Sequence, residues 1–149
     1  MVPLKFMFAG ATLAALLIVG GCATRPAAPV EPPSLYQRLG GRDAIAAVVD
    51  DAIGSISVDT RINHRFGNAG IAHLKSTLVD LLCARSGGPC SYGGQDMATA
   101  HEGMNIRGDE FEALIQDLAR ALDKFKVPAP EKAEVLALLG RMKNAIIGH

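Results

Sequence analysis

The sequence predicts an all-α fold, and three observations carry that expectation. Apolar residues recur at spacings of three and four along most of the chain, as they do on one face of a helix. No stretch of strand length alternates cleanly between apolar and polar residues. The segments between the apolar stripes are rich in glycine and proline, which stop helices and turn the chain. About five to seven helices are expected, with no internal repeat.

Taken in order, Ser34 can cap a short first helix that places Leu35 and Leu39 on one face, and Gly40-Gly41 ends it. Ile45, Val48, Val49, Ala52 and Ile56 form the stripe of a second helix. Residues 59–66 read as a short, turn-like helix, stopped by Gly67-Asn68-Ala69-Gly70. Ile71, Leu74, Leu78, Leu81 and Leu82 mark a helix running to about Arg85. Gly87-Gly88-Pro89 ends it, because proline has no N–H and restricts the residue before it. Gly93-Gly94 permits a second bend, and Gln95-Asp96-Met97-Ala98 can begin a helical turn that carries His101. Beyond a turn over residues 104–108, Gly108 or Asp109 can cap a helix burying Phe111, Leu114, Ile115, Leu118 and Leu122. Residues 125–130, with Pro128 and Pro130, break it. A last helix carries Val135, Leu136, Leu138, Leu139, Met142 and Ile146.

Residues 1–21 read as a targeting segment rather than part of the fold. Lys5 supplies a positive charge, and residues 6–19 form an apolar run too short for a spanning helix of about 20 residues. The run closes on Val19-Gly20-Gly21-Cys22, which looks like the lipobox of bacterial lipoproteins. In that reading Cys22 begins the mature chain and carries the lipid, so the protein meets the membrane through this anchor. Ala23 follows it and no aspartate does, which by the same resemblance favours the periplasmic side of the outer membrane. Residues 22–33, with Pro26, Pro29, Pro32 and Pro33, make an extended tether. The folded domain is expected over residues 34–149.

The 149 residues include 15 Lys+Arg and 15 Asp+Glu, so the formal net charge is zero. No basic stripe exists to neutralise phosphates, which excludes a nucleic-acid partner. Cys83 and Cys90 bracket the Gly-Gly-Pro turn, and an exported protein can hold them as a disulfide. Two separate thiols satisfy the sequence equally well.

The most informative stretch is Gly87-Gly88-Pro89, then Tyr92-Gly93-Gly94, then Met97 and His101 one turn apart, then Gly103. With Ser34-Leu35-Tyr36-Gln37-Arg38-Leu39-Gly40-Gly41, with Ala44-Ile45-Ala46-Ala47-Val48-Val49-Asp50-Asp51, and with Phe66, Leu74-Lys75 and Phe111, it resembles the group I truncated haemoglobins. The resemblance covers roughly residues 34–147. It implies a two-over-two helical sandwich and a haem whose iron is ligated by His101. Without it, His101 reads more readily as a partly buried structural histidine than as a ligand. No Cys-x-x-Cys-His is present, so the implied cofactor is a non-covalent haem b. The ring nitrogen of His101 that does not bind iron needs an acceptor, and the backbone carbonyl near Met97 is suitably placed.

The resemblance also implies the rest of the site. Phe66 stacks on the porphyrin, Leu74, Leu78 and Leu82 lie above it, and Met97, Ile106 and Phe111 lie on the histidine side. Lys75 and Arg107 are candidates for the haem propionates, and His64 and His73 for a second axial ligand. The chain departs from the family on the distal face. The family commonly has a tyrosine where Ile53 stands and a glutamine where Leu78 stands, so Ile53, Leu74 and Leu78 offer no donor. Dioxygen gains partial negative charge on binding ferrous haem, and a hydrogen bond to it is worth about 1.5–3 kcal/mol. The expectation is therefore a protein that binds a diatomic gas (oxygen, carbon monoxide or nitric oxide) reversibly, with weakened dioxygen affinity. Two rivals stand beside it: a haem redox enzyme acting on nitric oxide or peroxide through an unnamed redox partner, and a haem-free structural lipoprotein.

Overall fold

The computed structural model describes residues 31–67 and 70–149; the targeting segment, Cys22 and most of the tether lie outside them. Six α-helices and two 3-10 turns make up the described residues from Leu35 onward: α1 (Leu35–Arg38), α2 (Gly41–Val58), α3 (Ile71–Arg85), α4 (Met97–His101), α5 (Gly108–Lys124) and α6 (Ala129–Gly140). The 3-10 turns are Asn63–Arg65 and Lys143–Ala145. Among the described residues the only strand-like feature is a parallel bridge between Ile106 and Ile147.

Local chemistry explains most boundaries. Ser34 accepts the Gln37 N–H while the Gln37 side chain accepts the Ser34 N–H, a reciprocal capping box that starts α1. Gly40 and Gly41 take φ of 92° and 83°, which glycine adopts without strain, so α2 can begin immediately. Two expectations need correction. The cap of α5 is Arg107, whose N–H is taken by Glu110 at 2.8 Å, rather than Gly108 or Asp109. The last helix stops at Gly140, so Met142 and Ile146 flank the 3-10 turn that follows it.

Helix α2 packs against both α3 and α5, and α5 packs against α6, so two helix pairs meet through α2 and α5. The stripe read from the sequence is the stripe that is buried: Ile45, Val48, Val49, Ala52 and Ile56 lie at 3–6% exposure, joined by Ile53. Each fully buried aliphatic side chain contributes roughly 1.5–3 kcal/mol. Asp117 on α5 is also fully buried, paired with Arg120, and burial pushes its carboxyl above the ordinary range.

The segment between α3 and α4 has little regular structure and is held by specific contacts. Cys83 and Cys90 form a disulfide with Cα atoms 5.8 Å apart. Gly88 donates to the Cys83 carbonyl at 2.8 Å, and Tyr36 donates to the Ser86 carbonyl at 2.9 Å. A Cβ on Gly88 would stand 2.5 Å from Tyr36 Cδ2 and 2.6 Å from Cys83 Sγ, so only glycine fits there.

Candidate functional site

Between these helices lies a cavity of about 340 Å³, lined by residues of α2, α3, the Phe66 turn, α4, α5, α6 and the segment after α6. That volume is in the range of small-molecule and cofactor sites. Ile53, Phe66, Leu74, Leu78, Leu82, Met97, His101, Ile106 and Phe111, all named from the sequence, line it together. His64 and His73 do not, and neither do Lys75 and Arg107. Lys75 is paired with Asp50, and Arg107 with Asp109 at 2.9 Å.

His101 is the last residue of the five-residue α4. Asp96 starts that helix by accepting the Thr99 N–H at 3.1 Å and the Thr99 hydroxyl at 2.7 Å, and these bonds hold its carboxyl below the usual range. Gly103, with φ of 74°, turns the chain away just beyond. One helical turn separates Met97 from His101, which brings imidazole Nδ1 to 2.8 Å from the Met97 carbonyl. A carbonyl can only accept, so Nδ1 is the donor, and in the neutral imidazole the lone pair then belongs to Nε2.

That donor set selects a kind of metal. Among the described residues no three His, Cys, Asp or Glu side chains gather into a metal-binding group. One imidazole beside a largely apolar cavity suits a metal that arrives with four ligands of its own, as in a haem. The residues present therefore fit the group.

The wall opposite α4 is aliphatic. Ile53 is 4% exposed, and Leu74 and Leu78 are half-buried against the core. The lining contains two hydroxyls that the sequence reading did not single out, and both are committed to backbone. Thr77 donates to the His73 carbonyl at 2.9 Å, and Tyr92 to the Gln95 carbonyl at 2.8 Å. Thr77 sits one position before Leu78 and was legible as a lining residue from the helix period alone.

A polar corner was also missed. Arg65 lines the cavity beside Glu110, which is 3% exposed. Arg65 Nε and Nη2 donate to the two Glu110 oxygens at 2.9 Å each, and Nη1 donates to the Met104 carbonyl at 2.7 Å. His64 Nε2 lies 3.2 Å from Glu110 Oε1. The Arg65 guanidinium, followed by the Arg107 N–H, lowers the Glu110 carboxyl to about 2. Nothing in the helical period marks such a pair, because the two residues are 45 positions apart.

Comparison with known proteins follows the same lines. A family model described as bacterial-like globin matches residues 34–147. A group 1 truncated haemoglobin of Tetrahymena thermophila is 36% identical over 116 residues, covering 78% of this chain and 96% of that protein. The truncated haemoglobin of Tetrahymena pyriformis in its Fe(III) form superposes with a TM-score of 0.76 at 30% identity, covering 78% of this chain and all of that one. The 2/2 haemoglobin of Synechococcus sp. PCC 7002, solved in the cyanomet state with covalently attached haem, gives a TM-score of 0.73 at 27% identity, covering 77% and 98%.

Proposed function

The chain belongs to the bacterial-like globins as a group 1 truncated haemoglobin, and from that premise we propose that it holds a non-covalent haem b on His101 and binds an uncharged diatomic gas on the aliphatic side. One observation carries the reading: the His101 imidazole is fixed through Nδ1 by the Met97 carbonyl and offers Nε2 beside a largely apolar cavity. When bound, the haem would supply iron able to take a diatomic gas. The chain would hold it through the His101 imidazole, whose tautomer the Met97 carbonyl fixes, beside an apolar wall.

Non-covalent retention is supported by the lining. Attachment of a haem vinyl group needs a nucleophilic side chain at the ring edge. Among the described residues the lining has no cysteine, no lysine and no histidine besides His101. The covalent attachment in the Synechococcus protein is therefore not carried over.

The gas preference rests on Ile53, Leu74 and Leu78, with Thr77 and Tyr92 already committed to backbone carbonyls. A wall without a free hydrogen-bond donor favours carbon monoxide and nitric oxide over dioxygen, whose partial charge goes unpaired. Gas binding is preferred over peroxide or nitric oxide turnover because His64 and His73 lie off the lining and its one carboxylate, Glu110, is held by Arg65 and the Arg107 N–H. The chain is further proposed to be a lipoprotein anchored through Cys22, with residues 22–33 as tether.

The test is an absorption spectrum of the purified protein in its ferric, ferrous and carbon monoxide forms. A haem band that shifts with carbon monoxide and disappears in His101→Gly is the expected result. No haem band after reconstitution refutes the proposal. Incorporation of labelled palmitate that is lost in Cys22→Ser tests the anchor.

A further inference from the structure

We propose that Arg65 is the side chain that takes a carboxylate on the rim of the cofactor, with Glu110 fixing the plane of its guanidinium; this rests on the haem reading above. Iron protoporphyrin IX carries two propionates, which need cations or water where they leave an apolar site. Among the described residues Arg65 is the only Lys or Arg that lines the cavity. The two cations expected from the sequence are spent elsewhere, Lys75 on Asp50 and Arg107 on Asp109.

The geometry suits an anchor. Arg65 has five N–H groups, and the described residues use three: one on Nε, one on Nη1 and one on Nη2. One N–H on each terminal nitrogen remains to meet a carboxylate. Glu110 does not cancel this capacity. Its oxygens already accept from Arg65 and from the Arg107 N–H, with His64 at 3.2 Å from Oε1. Glu110 is fully enclosed, whereas the Arg65 side chain is 25% exposed, so the open edge of the pair is the guanidinium. The Met104 carbonyl that receives Nη1 lies three residues beyond His101. Arg65 thus ties the turn after the iron ligand to the turn before Phe66.

The test compares iron protoporphyrin IX with its dimethyl ester, which has the same ring and no carboxylate charge. Each is loaded into the full chain, and its loss to excess apomyoglobin is timed. The wild type is expected to release the free acid about three- to tenfold more slowly than the ester, the size of one partly exposed charge-assisted bond. Salt should shrink the ratio. Arg65→Met should bring the ratio to one by speeding loss of the free acid alone, and Arg65→Lys should restore part of it. Equal acceleration of both porphyrins in Arg65→Met, or equal rates in the wild type, overturns the anchor and leaves the haem reading intact. Failure of the wild type to take up either porphyrin overturns both. Should Arg65→Met not fold, the Arg65→Lys ratio and the wild-type salt dependence decide the matter.

Discussion

The two faces of the cavity are built in opposite ways. The histidine face rests on α4, five residues held by one capping aspartate, one carbonyl and a disulfide-braced loop. The opposite face rests on α2 and α3, of 18 and 15 residues, whose cavity-facing positions are aliphatic except Thr77. In the proposed function iron binding falls to a short element with specific hydrogen bonds, and gas selection to long elements that differ from ordinary core chiefly in facing a cavity. A ligand face of that kind can change its chemistry by one substitution without disturbing the fold. The histidine face cannot.

The comparison can be broken or sharpened by substitution, starting with the largest effect. His101→Gly should abolish haem retention, and added imidazole should restore a carbon monoxide spectrum; retention without imidazole would move the ligand elsewhere. Ile53→Tyr should slow dioxygen dissociation by about 10- to 100-fold, the worth of one hydrogen bond to a charged acceptor. Stopped-flow release measures it, and an unchanged rate would mean that the aliphatic face does not set affinity.

Gly88→Ala should lower stability by about 1–3 kcal/mol, since its Cβ collides with Tyr36 and Cys83. Thermal unfolding reports this, and an unchanged midpoint would show that the loop before α4 yields freely. The acid limb of the stability profile should come next. Glu110 titrates at about 2 when folded against an ordinary 4.5, so its contribution is present above pH 4.5 and lost as pH falls toward 2. Glu110→Gln should flatten the profile in that window. The smallest effect belongs to Lys75→Ala, which breaks a partly exposed pair with Asp50 and should cost no more than about 0.5 kcal/mol, with haem retention unchanged.

The long elements were legible because burial repeats with the helix. Ile45, Val48, Val49, Ala52 and Ile56 announced α2, and Leu74, Leu78 and Leu82 placed one wall of the site on one face of α3. His101 was found differently, through its resemblance to a family. A single imidazole among apolar residues has no periodic signature. Arg65 and Glu110 were not found, because a buried ion pair between distant segments depends on how the helices pack. The redirection of Lys75 and Arg107 has the same origin. Each has an acidic residue in reach, Asp50 across the α2–α3 contact and Asp109 two positions on, and pairs with it away from the cavity lining.

The bridge between Ile106 and Ile147 bears on the order of assembly. A ribosome delivers His101 and Ile106 well before Ile147, and Met142 and Ile146 complete the lining only when that final stretch docks. The nascent chain therefore has His101 before it has a closed cavity. Under the haem reading proposed above, tight retention of the cofactor should wait for the segment around Ile147 to dock, however early the imidazole is on offer.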